Sequence, residues 1–174
     1  MKNIYNYKAY EKGKLLRTTL LYLSEQIDPK SKVFKKYERI IKKEVKALEK
    51  IGFDGYMLLL EDIVVVAKEI SGFVACFGTI QNSLTAHILG IVDDYELNEE
   101  NFKEFTPFTD EPVVHIVISS YANNGCVGYV AHKYADIIKK KKKRSIVFKD
   151  NLKIKFVDLD INIRTKYDED GFRI

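Results

Sequence analysis

The feature that most constrains the fold is the order of two hydrophobic periods along the chain. Apolar residues recur at helical spacing from Leu15 to Leu23 and again from Val33 to Leu48. Alternating and β-branched residues, which are typical of strands, follow at 113–119 and 152–163. Helices that precede strands predict an α+β fold, in which N-terminal helices pack on a small mixed sheet.

Glycine, proline and polar dipeptides divide the chain into predicted elements. Helices are predicted at residues 5–26, 31–50, 61–70, 83–89 and 127–140, with Gly52 as the C-cap of the second and Asn82 or Ser83 as the N-cap of the fourth. Strands are predicted at 73–77, 113–119, 145–148 and 152–163. The apolar run at 56–60 fits either a strand or the opening of the third helix, because periodicity does not separate the two. A turn is predicted at 123–125, and a hairpin around Asp150-Asn151 joins the last two strands.

Bulk properties favour one folded domain. Hydrophobic residues make up 46% of the 174 residues and charged residues 31%, which excludes wholesale disorder. No apolar run approaches the roughly 20 residues that cross a bilayer, and the first 14 residues lack the apolar core of a signal peptide. We therefore expect a cytoplasmic protein with no membrane partner, and reduced, buried thiols at Cys76 and Cys126.

Charge is distributed unevenly. Eight acidic residues and one base lie between Asp93 and Glu111, whereas six consecutive bases follow at Lys139, Lys140, Lys141, Lys142, Lys143 and Arg144. Such a basic run fits either a solvated helix end or a surface that contacts the nucleic-acid backbone in a salt-sensitive way. His87, His115 and His132 have no metal-ligand spacing, so core or surface histidines are favoured over metal ligands.

Two segments occur in the order and spacing of a known family. A charged helix ends in Gly52-Phe53 and is followed by the run 56–60, by Asp62 and by the Ala-Lys-Glu of 67–69. Gly78-Thr79 and the helix at 83–89 then lead into Leu-Gly-Ile-Val-Asp at 89–93. These segments resemble the palm of bacterial C-family replicative DNA polymerases, the DNA polymerase III alpha subunit. The resemblance implies a palm-like, nucleotidyltransferase-type fold.

The same resemblance predicts one domain over residues 1–174. Residues 1–52 form its helical lead-in, residues 53–93 its nucleotide-loop-like region, and residues 94–174 its sheet. The sheet region carries an insertion at 106–156 that has no counterpart in the resemblance. It ends in an acidic strand.

That strand carries Asp158 and Asp160, which the resemblance implies to be catalytic ligands of Mg²⁺. Residues two apart on a strand share a face and lie about 7 Å apart, which suits two-metal phosphoryl transfer. Leu159 and Ile161 are then predicted to pack on the other face. The alternative is a half-buried strand with a solvated acidic face. Asn162 stands where the family has a third Asp.

Gly78, Thr79 and Ser83 are the nucleotide-binding residues that the resemblance implies. Phe77 occupies the position of the family's arginine, and Ile80, Gln81 and Asn82 replace small residues. A bulky apolar side chain removes positive charge from a phosphate cradle. The resemblance and these departures from it together predict a diverged, partial palm-like domain, weak or inactive alone, that binds DNA or a replication protein, with a deoxynucleotide triphosphate as a further predicted ligand. An active metal-dependent nucleotidyltransferase or polymerase fragment, and a non-enzymatic interaction module, are the alternatives.

Overall fold

Five helices and five strands make up residues 11–93 and 112–159, which are the residues that the computed structural model describes. The helices are α1 Lys14–Gln26, α2 Lys32–Ile51, α3 Asp54–Ser71, α4 Leu84–Ile88 and α5 Asn123–Lys133. The strands are β1 Ala75–Gly78, β2 Val113–Ile118, β3 Ile138–Lys141, β4 Ser145–Phe148 and β5 Lys153–Asp158. Short 3₁₀ turns at Ser120–Ala122 and Ala135–Ile137 flank α5.

The strands form one mixed sheet in the order β1-β2-β5-β4-β3. Strands β2 and β5 pair in parallel, with Ile116 opposite Phe156, and the other three pairs are antiparallel. Helices followed by a mixed sheet confirm the predicted α+β class.

One face of the sheet is buried against the helices. Val114, Ile116, Ile146, Ile154 and Phe156 alternate along their strands and belong to the hydrophobic core, and α3 and α5 contact the sheet. The intervening residues point to the opposite face, because side chains alternate across a strand. We call that opposite face the open face; it includes Phe77, His115, Val147, Lys153 and Lys155.

Helix α3 is the central element of the core. Phe53, Tyr56, Met57, Leu59 and Leu60 have no exposed surface, so the run at 56–60 is the opening of a helix rather than a strand. The run at 56–60 is apolar on all sides of the helix, so this part of α3 has to be enclosed by other elements. The hydroxyl of Tyr56 donates to Asp150 at 2.8 Å and thereby links α3 to the β4–β5 hairpin.

Two predictions around α5 are wrong. The predicted turn at 123–125 is the first turn of α5, and the predicted helix at 127–140 ends at Lys133. Residues 138–141 instead form the edge strand β3, which pairs with β4. Pairing with β4 satisfies the backbone groups on one side of this edge strand, and this tertiary interaction overrides the helical propensity of lysine.

Several local predictions are confirmed. Ser83 caps α4, Gly52 ends α2 in a left-handed conformation, and the β4–β5 hairpin turns at 149–152. Cys76 and Cys126 are free and buried, and burial raises the pKa of the Cys76 thiol to about 12. Of the helices in the described part of the chain, none is long and apolar enough to cross a membrane.

Gly128 lies on the exposed side of α5, and a Cβ added there would meet no atom within 4 Å. We expect Gly128→Ala to raise the free energy of unfolding by about 0.5–1 kcal/mol, because alanine loses less backbone entropy in a helix. Urea unfolding followed by circular dichroism measures this. Gly125→Ala is the control, because its Cβ would lie 3.3 Å from the Ile70 side chain. The free energy of unfolding should therefore rise less in this variant. A lower stability of Gly128→Ala would contradict the account.

Candidate functional site

Gly78 and Thr79 hold the end of β1 against the start of β2. Gly78 has φ +122°, and a Cβ at this position would lie 2.3 Å from the carbonyl oxygen of Val113. The Thr79 amide donates to the same oxygen at 3.0 Å, and the Thr79 hydroxyl accepts from the Val113 amide at 3.0 Å. Both residues thus have structural roles at the sheet edge, and their binding of a nucleotide stays a prediction.

Ser83 lies inside the protein, at the N-terminus of α4. It is 2% exposed, accepts a hydrogen bond from the Ala86 amide and donates one to the Glu44 carboxylate at 3.0 Å. Its hydroxyl is therefore engaged by the fold at the position where the resemblance implies a nucleotide ligand.

Glu44, on helix α2, is the buried acceptor for the first turn of α4. Besides Ser83, the amides of Leu84 and Thr85 donate to its carboxylate at 2.9 and 2.8 Å. Burial raises the pKa of Glu44 above its usual range, and these hydrogen bonds offset part of the rise. The carboxylate thus occupies the electropositive helix end that an anion would otherwise favour. About forty residues separate the partners, so no local sequence signal reveals this contact.

Asp158 ends strand β5 on the buried face, and not on a solvated one. It follows Ile154 and Phe156 in the alternation, is 8% exposed, and its carboxylate lies 3.5 Å from the Arg144 guanidinium. The sequence pattern predicts Leu159 on the packed face and Asp158 on the opposite one, and this orientation is wrong. Asp158 shares a face with Ile154 and Phe156, because side chains two residues apart on a strand point the same way. Asp160 lies outside the described residues, so the pairing of the two carboxylates stays a prediction.

A magnesium ion needs several oxygen ligands. Within residues 11–93 and 112–159, no group of three or more His, Cys, Asp or Glu side chains is placed to hold a metal. Asp158 contributes one carboxylate, and Asp160, its predicted partner as a ligand, lies outside the described residues. The sequence prediction of a magnesium site therefore gains no support from the described carboxylates.

The basic run lies at the edge of the sheet. Lys139, Lys140 and Lys141 are exposed in β3, and Lys142, Lys143 and Arg144 form the turn into β4. Lysines on an edge strand also prevent pairing with other chains, which is the structural alternative to a binding role. Nucleic-acid binding by these residues stays a prediction.

The run divides between two shallow grooves. Lys139 and Lys140 line the first groove on the open face, together with Val113, Val147, Asn151 and Lys153. Lys141, Lys142 and Lys143 line the second groove, together with Asn124, Val127 and Gly128. The fold thus brings part of the run close to a lysine of β5 that is distant in sequence.

Phe77 and His115 form an aromatic pair that sequence reasoning missed. Their rings stack on the open face with centroids 4.7 Å apart and planes within 3°. Phe77 is 41% exposed. Burial, and to a lesser extent the charges of Lys155 and Lys153, lower the pKa of His115. Alternation along β1 and β2 indicates which face each residue occupies, but only their register places them side by side.

Asp62 of α3 links this helix to α5 and to Tyr134, the residue that follows α5. It accepts hydrogen bonds from the hydroxyls of Tyr129 and Tyr134, at 2.9 and 2.6 Å, and its carboxylate lies 3.0 Å from the Lys133 ammonium. Burial alone would raise the pKa of Asp62, but the hydrogen bonds from Tyr134, Lys133 and Tyr129 outweigh it and lower the pKa. Both tyrosines therefore have a structural role.

Comparison with models of protein families identifies a family for this chain. The sequence matches the family described as the bacterial DNA polymerase III alpha NTPase domain over residues 13–170. The matched range includes residues 106–156, which the sequence resemblance leaves unassigned. No curated protein matches the chain.

Proposed function

Because the chain belongs to the bacterial DNA polymerase III alpha NTPase domain family, we propose that it is a diverged, partial palm-like domain. In this proposal it binds nucleic acid in DNA replication and has little or no polymerase activity of its own. The observation that carries the proposal is the charge of the described sheet. Its open face presents lysines, whereas Asp158, the described aspartate of the acidic strand, is buried and lies beside the Arg144 guanidinium.

The residues of the nucleotide-loop-like region support the proposal that polymerase activity is weak. Phosphoryl transfer relies on cations and backbone donors that neutralise the transferred phosphate. Phe77 offers neither at the position where the resemblance implies an arginine. Ser83 and the first amides of α4 already donate to Glu44. Binding of a triphosphate at this loop would have to compete with these internal contacts.

A basic surface supports binding to a polyanion. Lys139, Lys140, Lys153 and Lys155 lie on or beside the open face. Neutralising phosphates releases counterions, so each contact adds about −0.7 to the slope of log affinity against log salt for a single strand. Three or four contacts predict an affinity loss of roughly 20- to 50-fold when salt rises fourfold.

The test is a pair of assays on the full chain with a fluorescein-labelled primer–template that carries a single-stranded overhang. We expect anisotropy to show salt-sensitive binding, and gel analysis to show no primer extension with deoxynucleotide triphosphates and Mg²⁺ or Mn²⁺. Extension that is lost in Asp158→Asn/Asp160→Asn would instead establish an active nucleotidyltransferase. Failure to bind any nucleic acid would leave a protein-interaction module as the better account.

A further inference from the structure

The open face combines a stacked aromatic pair with lysines in adjacent rows. Register places Phe77, His115 and Lys155 side by side across β1, β2 and β5. The neighbouring row contains Val113, Lys153 and Val147. Strands lie about 4.8 Å apart, so Lys155 lies about 10 Å from Phe77 across the sheet.

The geometry points to this face as a binding surface for single-stranded nucleic acid. A base stacks on the Phe77–His115 pair, and the flanking phosphates lie against Lys153, Lys155 and the Lys139–Lys140 edge. The inference rests on the proposed function, because it names the surface and the kind of strand that the nucleic-acid binding uses. It assigns no role to the acidic strand or to a metal.

Exposure of the ring makes stacking available. The open face is not uniformly exposed, because Val117 on β2 is only 7% exposed. Phe77 on the same face is 41% exposed. A planar base can extend a two-ring stack, and stacking on an aromatic side chain contributes regardless of base identity. The lowered pKa of His115 favours its neutral ring, so the pair offers uncharged aromatic rings beside the lysines of the open face.

Single strands fit this face better than duplexes. Bases inside a duplex already stack on their neighbours, and only unpaired bases offer a face to an aromatic ring. From β1 to β3 the sheet spans four strand spacings, about 19 Å. That width suits a segment of about four nucleotides, at the lower end of the site sizes of single-strand binding domains.

The decisive variant is Phe77→Leu, which keeps an apolar side chain and removes the aromatic face. We expect the full chain to bind a fluorescein-labelled 12-nucleotide oligothymidylate 5- to 50-fold more weakly in this variant. Phe77→Tyr retains the ring and should bind as the wild type does. Phe73→Leu is the matched control, because Phe73 is 44% exposed but lies before β1 and outside the stack.

Charge is tested separately. Lys153→Glu/Lys155→Glu should abolish measurable binding at moderate salt, whereas Lys43→Glu/Lys46→Glu, on the exposed side of α2, should weaken binding only slightly. An abasic 12-mer, which has the same phosphates without bases, should bind wild type and Phe77→Leu alike. A 12-base-pair duplex should bind more weakly than the single strand.

The outcomes separate the two proposals. If the wild type binds none of these oligonucleotides, both the proposed function and this surface are wrong. If the wild type binds but Phe77→Leu is unaffected, or the duplex binds at least as well, the stacking surface alone is overturned. Should a variant unfold, a titration of the wild type decides: we expect upfield shifts of the His115 ring protons with oligothymidylate and none with the abasic strand.

Discussion

Glu44→Ala is expected to lower the free energy of unfolding by about 3–4 kcal/mol. The carboxylate is 4% exposed and accepts hydrogen bonds from Ser83, Leu84 and Thr85. Removing it leaves two buried backbone donors without this acceptor, and each such donor costs about 1–3 kcal/mol. It also disconnects α4 from α2, so the nucleotide-loop-like region should lose protection from hydrogen exchange before the rest of the core.

Urea unfolding of wild type and variant measures the effect. Glu49→Ala is the matched control, because Glu49 lies on the same helix, is partly exposed and should change stability by less than about 0.5 kcal/mol. If the free energy of unfolding of Glu44→Ala lies within about 1 kcal/mol of the wild-type value, the three hydrogen bonds contribute little to stability.

The same contact predicts a pH dependence. Burial raises the folded-state pKa of Glu44 above its ordinary value of 4.5, so the folded protein binds more protons than the unfolded chain above that pH. The stability that protonated Glu44 contributes is fully present below pH 4.5 and is lost as pH rises through the folded-state pKa. The difference in unfolding free energy between wild type and Glu44→Ala should therefore narrow from pH 4.5 to pH 8. A difference that widens with pH would contradict this sign.

Gly78→Ala is expected to lower the free energy of unfolding by about 2–4 kcal/mol. The glycine has φ +122°, which L-residues rarely adopt, and the new Cβ would lie 2.3 Å from the Val113 carbonyl oxygen. That oxygen belongs to backbone and accepts from the Thr79 amide, so β1 must move away from β2. Because β1 is the edge strand, hydrogen exchange should increase most along the β1–β2 pair.

Gly90→Ala is the control for Gly78→Ala. Gly90 has φ +75°, but a Cβ there would meet nothing within 4 Å. Its cost should be only the strain of a left-handed alanine, about 1–2 kcal/mol. Thermal unfolding of both variants gives the comparison, and equal losses would mean that the close approach to Val113 contributes nothing.

Local sequence signals predicted the elements well where hydrophobic period and capping residues agree. The α2 stripe, the Gly52 cap, the Ser83 cap and the β4–β5 hairpin each depend on residues within a few positions of one another. The lysine run illustrates the opposite case. Its local pattern favours a helix end, but pairing with β4 makes it an edge strand. A neighbouring strand supplies hydrogen bonds that no local pattern describes.

The candidate site depends on long-range contacts more strongly than the helices and strands do, so less of it could be predicted from the sequence. Sequence order led to the family, which the match over residues 13–170 supports, and it drew attention to Gly78 and to Asp158. It did not reveal that Gly78 approaches Val113 or that Asp158 turns toward the core. Nor did it reveal that Glu44 occupies the end of α4. Each of these facts depends on a partner at least 14 residues away.

The sequence by itself determined the α+β class, most elements and the family, because hydrophobic period, caps and ordered motifs are local properties of the chain. Only the tertiary structure decided which side chains share the open face. A strand's register against its neighbours sets that choice, and a shift of one residue moves every side chain to the other face. The Phe77–His115 stack and its lysine neighbours exist because β1, β2 and β5 align in one register.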